Sequence, residues 1–180
     1  MLQKYNIYKV LSLFLNSPLR GFGWKEMSRE LHLGPPSVKR YLDELKRGGL
    51  VVEKRVYGRK LYFANRESRK FKIYKLLDIE MNIENSGLID FINKELRFPL
   101  VILFGSFASG DATEKSDIDI AVISSIKNEI TLELYAKKLK RPIQIFLFSK
   151  AEFDTMQRKN KELYNNILNG RILSGYLKVT

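Results

Sequence analysis

Cysteine is absent from the 180 residues and histidine occurs once, at position 32. No thiol means no disulfide scaffold, no thiol nucleophile and no zinc finger, and a lone imidazole cannot build a cysteine/histidine metal cluster. The composition fits a reducing compartment. Long apolar runs are missing too. The stretch Val10–Leu15 is short, is bounded by Lys9 and Asn16, and precedes no small-residue cleavage site, so it reads as a helix face and not as a leader. No segment approaches the roughly 20 apolar residues that a membrane span requires. Internal repeats and low-complexity tracts are also lacking. These absences lead us to expect a soluble, cytoplasmic protein with no membrane partner. His32 falls in a turn between two helices, where a surface or capping role is expected.

Hydrophobic residues make up 44% of the chain and aromatics 12%, which is enough for real cores and argues against wholesale disorder. The length allows one medium domain or two small ones. Charge is unevenly spread. Of the net +12, Met1–Arg66 carries 14 Lys and Arg against 5 Asp and Glu, a balance of +9. The remainder carries 18 against 15, or +3. A polyanion that binds the first third would gain from counterion release. A solvated basic surface would give the same count, so pattern has to separate the two.

Apolar residues at Ile7, Val10, Leu11, Phe14 and Leu15 follow helical one-face spacing over Tyr5–Leu15. Asn16-Ser17-Pro18 stops that helix, and a second is expected over Trp24–Leu31. His32-Leu33-Gly34-Pro35-Pro36 is a tight turn whose prolines suit a helix start. The third helix, Pro36–Arg47, places Val38, Tyr41, Leu42 and Leu45 on one stripe and ends at Gly48-Gly49. Two β-prone runs, Leu50–Tyr57 and Leu61–Ala64, flank Gly58-Arg59-Lys60 and predict a hairpin with a basic turn. This order, over about residues 3 to 65, resembles the winged helix-turn-helix domains of bacterial and archaeal transcription regulators. The resemblance implies double-stranded DNA as partner, with the third helix in a major groove and the hairpin along a backbone. Ser37, Lys39 and Arg40 would then reach base edges, and Lys46, Arg47, Arg59 and Lys60 would meet phosphates. Use of the same fold for protein contacts or dimerisation stays open.

Ser68–Met81 and Ile83–Arg97 are amphipathic and read as a helical connector, broken near Asn85-Ser86-Gly87. It would join two domains or pack a homodimer. The expected division is therefore 1–66, 67–98 and 99–180.

Beyond the connector, Leu100–Phe104 is a buried-strand pattern that runs into Gly105-Ser106. Ten residues later comes Asp117-Ile118-Asp119-Ile120-Ala121-Val122-Ile123. Strand alternation places Asp117 and Asp119 on one face and Ile118, Ile120 and Val122 on the other. Two like charges at about 4 Å repel by about 1 kcal/mol in water and about 4 kcal/mol at an effective dielectric near 20. A cation relieves that cost, and oxygen-only ligands suit Mg²⁺. Glycine at a strand-to-helix turn lets a phosphate approach the backbone, and the adjacent hydroxyl adds a donor.

The phrase GSFASGDATEKSDIDIAVI resembles the DNA polymerase β-like nucleotidyltransferase superfamily. It looks like the minimal nucleotidyltransferase branch, which includes antitoxins paired with HEPN-type toxins. The fold class expected from both resemblances is α+β: a winged helix-turn-helix followed by a small mixed-sheet α/β nucleotidyltransferase-like domain. The resemblance implies transfer of a nucleoside monophosphate from an NTP to a hydroxyl, with pyrophosphate leaving. Gly105, Ser106 and Ser116 would bind the nucleotide, and Asp117 and Asp119 would be catalytic and hold Mg²⁺. It also implies a third acid on a later strand, and here that strand, Arg141–Phe148, carries Gln144 at the matching place. An amide cannot accept a proton at neutral pH. Glu133 and Glu152 are candidates to stand in for it. Two readings follow: a transcription regulator with a nucleotide-binding, catalytically weakened domain, or an active transferase whose acceptor is a protein or nucleic acid, such as a HEPN-type toxin. The tail, Lys150–Thr180, is expected to form helices over Ala151–Asn160 and Lys161–Asn169, with Gly170 and Gly175 punctuating its end.

Overall fold

A computed structural model describes residues 5–176. Residues 1–4 of the first expected domain, and 177–180 of the expected tail, lie outside the described residues. The protein is α+β and divides into two compact units, Met1–Lys75 and Leu76–Thr180.

The first unit opens with three helices: α1 (Asn6–Asn16), α2 (Trp24–Glu30) and α3 (Pro35–Arg47). Proline at the start of α3 costs no helical hydrogen bond, because the first-turn N–H groups have no intrahelical partner. Strands β1 (Val51–Val56) and β2 (Arg59–Ala64) pair antiparallel, from Val51↔Ala64 to Val56↔Arg59. Their turn is Tyr57-Gly58, both at positive φ (48° and 74°), as a two-residue hairpin turn of this twist demands. The turn expected at Gly58-Arg59-Lys60 therefore moves back by one residue, and Arg59 and Lys60 become strand residues. Phe22 pairs with Tyr62 as an isolated bridge and adds a third edge to the ribbon. Val10, Phe14, Phe22, Met27, Val38 and Leu42 form the fully buried centre of this unit.

Helix α4 (Arg69–Ser86) runs longer than the sequence pattern suggests. Gly87, at φ 77°, makes the break before α5 (Leu88–Leu96). In the second unit a four-stranded sheet has the order β5-β4-β3-β6, built from β3 (Leu100–Phe104), β4 (Ile118–Ile123), β5 (Ile143–Phe148) and β6 (Arg171–Ser174). The sheet is mixed: β4 and β5 run parallel, and β3 is antiparallel to both β4 and β6. Side-chain alternation gives each face its own core. Ile118, Ile120 and Val122 join Leu88, Ile92 and Leu96 of α5 on one face, together with residues of α7 (Glu133–Leu139). Ala121, Ile102 and Phe104 join Phe153 of α8 (Lys150–Lys159) and Ile167 of α9 (Lys161–Leu168) on the other.

The two helices expected in the tail are α8 and α9, and strand β6 follows them where no strand was expected. Four residues between two glycines show too little alternation to be read as a strand, and the glycines are what let it dock. A Cβ on Gly170 would sit 2.5 Å from the Leu103 carbonyl oxygen, and one on Gly175 would sit 2.8 Å from that of Pro99.

Candidate nucleotide and metal site

Sheet register assembles the site. Asp119 is opposite Phe104, the last residue of β3, and beside Gln144 on β5. The chain turns at Gly105 immediately after Phe104 and enters the short helix α6 (Gly105–Ser109). Gly105 has φ 70°, a backbone state that disfavours a side chain. Its position is also crowded, since a Cβ there would overlap the carboxylate of Asp119. Thus the Gly-Ser turn and the second aspartate of Asp-Ile-Asp meet at one end of the sheet. Asp117 stands just before β4 and is exposed, whereas Asp119 is half-buried.

Burial, and then the neighbouring charge of Asp117, push the Asp119 carboxyl above the usual aspartate range. The pair is therefore electrostatically costly when ionised, which is the condition a divalent cation relieves. Among the described residues no cluster of three or more His, Cys, Asp or Glu could hold a metal alone. Two carboxylates plus substrate phosphates form the oxygen-rich donor set that suits Mg²⁺, so the residues present fit that ion.

The loop between α6 and β4 is tied to the Gly-Ser turn by backbone bonds. The Ser106 carbonyl accepts the N–H groups of Asp111 and Ala112, both at 2.9 Å. Ser116 closes the next turn, its Oγ accepting the Thr113 N–H at 2.9 Å. Its oxygen is thus already used in holding the segment that delivers Asp117. Helix α6 is five residues long, so an anion at Gly105-Ser106 would meet local N–H groups with little summed dipole behind them.

Gln144 is exposed and shares a face with Asp119, because paired residues on parallel strands point the same way. Neither candidate acid replaces it. Glu152 follows the far end of β5, whose last residue, Phe148, is four residues beyond Gln144, about 13 Å at the usual strand rise. Both of its oxygens are engaged: one pairs with Lys127, and the other accepts from Ser149 N and Oγ at 2.7 and 2.8 Å. Those bonds hold Glu152 down to about 2, with Lys127 the largest cause. Glu133 opens α7, which packs against the opposite face of the sheet.

In the first unit, the residues expected to meet nucleic acid are mostly exposed, but several have internal partners. Lys46 and Lys60 converge on Glu53, at 3.2 and 2.9 Å, and those ammonium groups hold its carboxyl below the usual range. Lys39 lies 4.3 Å from the centre of the Trp24 ring. Arg40 donates to Tyr41 Oη at 3.3 Å, and Arg47 Nε donates to the Asp43 carbonyl at 3.4 Å. Arg59 is exposed beside the hairpin turn, and Ser37 is half-buried near the start of α3. His32 is exposed at φ 53° in the α2–α3 turn.

Glu53, Trp24 and Arg141 were not singled out by the sequence. Glu53 sits in an alternating basic strand and Arg141 ends a lysine-rich stretch, so nothing local marks either one. Only their pairing partners, distant in the chain, reveal them.

A family model described as Polymerase beta, Nucleotidyltransferase matches residues 86–175, half of the chain. A relative from Methanocaldococcus jannaschii, named "Putative protein adenylyltransferase", is 35% identical over 79 residues, covering 43% of this chain and 79% of the relative. The matched span contains the Gly-Ser turn, the aspartate pair and all four strands of the sheet. This chain belongs to the polymerase β nucleotidyltransferase family.

Proposed function

We propose that this protein transfers a nucleoside monophosphate from an NTP to a hydroxyl group on a macromolecular acceptor, with Asp117 and Asp119 holding Mg²⁺ and Gly105-Ser106 receiving the phosphates. The observation that carries this reading is the packing of Gly105 directly against the Asp119 carboxylate. It brings the glycine backbone directly to the carboxylate and leaves no room for a side chain. When bound, Mg²⁺ supplies charge neutralisation on the phosphates and orients them for in-line displacement. Gly105 admits the phosphates to the backbone, and Ser106 adds a hydroxyl donor. Asp117 and Asp119 set the cation's place.

Gln144 cannot take the acceptor's proton, so the transfer is slower than a full set of three acids would allow. The name of the archaeal relative favours ATP as donor and a protein as acceptor. A HEPN-type toxin is one such acceptor. Incubation with α-labelled ATP, Mg²⁺ and candidate acceptors tests the reading. Label should reach an acceptor with wild-type protein and not with Asp117→Ala; equal labelling, or none in either, would count against it.

A second reading concerns the first unit. The net +9 charge of Met1–Arg66, the order of three helices and a hairpin, and the exposed Arg40, Arg47 and Arg59 support a winged helix-turn-helix bound to double-stranded DNA. On this reading the protein is a transcription regulator, or the unit localises the transferase on its acceptor.

A further inference from the structure

We infer that Arg141 is a positioning residue for the aspartate pair. It clamps the loop that carries Asp117 and ties that loop to the helix containing Gly105 and Ser106. The inference rests on the nucleotidyltransferase reading and names a part that neither the aspartates nor the Gly-Ser turn supplies.

The contacts run in both directions from one guanidinium. Arg141 Nη1 donates to the Thr113 carbonyl at 3.0 Å and also to the Glu114 carbonyl. Its guanidinium carbon lies 5.9 Å from the centre of the Phe107 ring, and Phe107 is a buried residue of α6. The same residue is itself anchored. The Arg141 N–H donates to the Ala136 carbonyl of α7 at 3.1 Å. The next carbonyl, that of Pro142, accepts the Ile118 N–H at 2.9 Å, between Asp117 and Asp119.

Carbonyls in a turn have no strand partner, and a charged donor to two of them fixes the turn more firmly than neutral bonds would. A planar guanidinium can do this while lying against an aromatic ring, which a lysine ammonium cannot reproduce in full. Thr113 and Glu114 are three or four residues from Asp117, too few for the chain to move at one place without moving at the other. Arg141 sets where the first aspartate stands relative to the second.

The test measures binding of a fluorescent ATP analogue to the full chain at fixed temperature while Mg²⁺ is titrated. Arg141→Gln should raise the Mg²⁺ concentration at half-saturation by about 10–100-fold, the usual effect of losing a group that orients metal ligands, with the plateau unchanged. Arg141→Lys, which keeps the charge and loses the fork, should fall between wild type and Arg141→Gln. A loss of fold stability alone would lower the melting temperature without moving the metal curve. An Arg141→Gln curve that superimposes on wild type overturns the inference. So does loss of binding at every Mg²⁺ concentration in a folded variant, since that would make Arg141 a direct nucleotide ligand. If Arg141→Gln does not fold, Arg141→Lys decides alone: a shifted curve supports the clamp and an unshifted one overturns it. Asp117→Ala separates the levels. Wild-type binding that Asp117→Ala abolishes, with the Arg141 variants unshifted, sinks the clamp only, whereas no Mg²⁺-dependent binding by wild type sinks both.

Discussion

Asp119 carries two opposed demands. As a half-buried carboxylate beside Asp117 it takes up its proton more readily than an ordinary aspartate, yet the proposed Mg²⁺ site needs it ionised. Because its carboxyl is raised in the folded protein, the folded state binds the proton more tightly than the unfolded chain does. Ionised Asp119 therefore costs stability above its folded value, and that cost disappears as pH falls below the ordinary aspartate range. Asp119→Asn should accordingly raise the melting temperature at neutral pH in the absence of divalent ions, and the gain should vanish in acid. Thermal unfolding across pH checks this; a gain that persists or grows in acid would contradict it. The same variant should lose stabilisation by ATP with Mg²⁺. Gln144 offers the complementary change. Gln144→Glu places a carboxylate in register with Asp119, and restoring a general base should raise the transfer rate by on the order of 100-fold. A rate unchanged or lowered would show that proton removal is not what limits the wild type.

Among the elements, the turn from β3 into α6 is where backbone state and site chemistry coincide. Gly105→Ala would strain a left-handed φ and drive a methyl into the Asp119 carboxylate, so a stability loss of about 1–3 kcal/mol and loss of Mg²⁺-dependent ATP binding are expected together. Denaturant melts and nucleotide titrations measure the two effects separately. The β1–β2 hairpin holds a different balance, in which Glu53 pairs with Lys46 and Lys60, two of the lysines proposed to meet DNA phosphates. Glu53→Gln should strengthen duplex DNA binding and steepen its salt dependence by about one to two units of slope, roughly 0.9 for each further phosphate that a freed lysine neutralises. An unaltered slope would place Lys46 and Lys60 outside any DNA interface.

Strand β3 was legible as a continuous apolar run and β4 through the alternation of aspartate and isoleucine at its start, both local signals, and the Gly-Ser turn follows β3 directly in the chain. The hairpin was legible as an element, but its turn was misplaced because Tyr57 looks like a strand residue and only its positive φ shows otherwise. Strand β6 escaped notice because its pairing with β3 depends on space beside Gly170 and Gly175, which no run of four residues reveals. Gln144 could be placed from the sequence only through the family resemblance, and sheet register then set it beside Asp119. The Arg141 clamp spans 27 residues to Glu114 and has no sequence periodicity to betray it.

At the scale of the whole molecule, charge and chemistry are divided. The first unit holds the whole excess of positive charge, and the second holds the aspartates and the family match. No helix among the described residues is long and apolar enough to cross a membrane. Everything proposed for the second unit depends on the aspartate pair capturing a nucleotide-bound cation. Calorimetric titration of the full chain with ATP and Mg²⁺, repeated with Asp117→Ala, measures that capture directly. Saturable binding that requires Mg²⁺ and disappears in the variant is the expected result; binding of equal strength without Mg²⁺, or in Asp117→Ala, would contradict it.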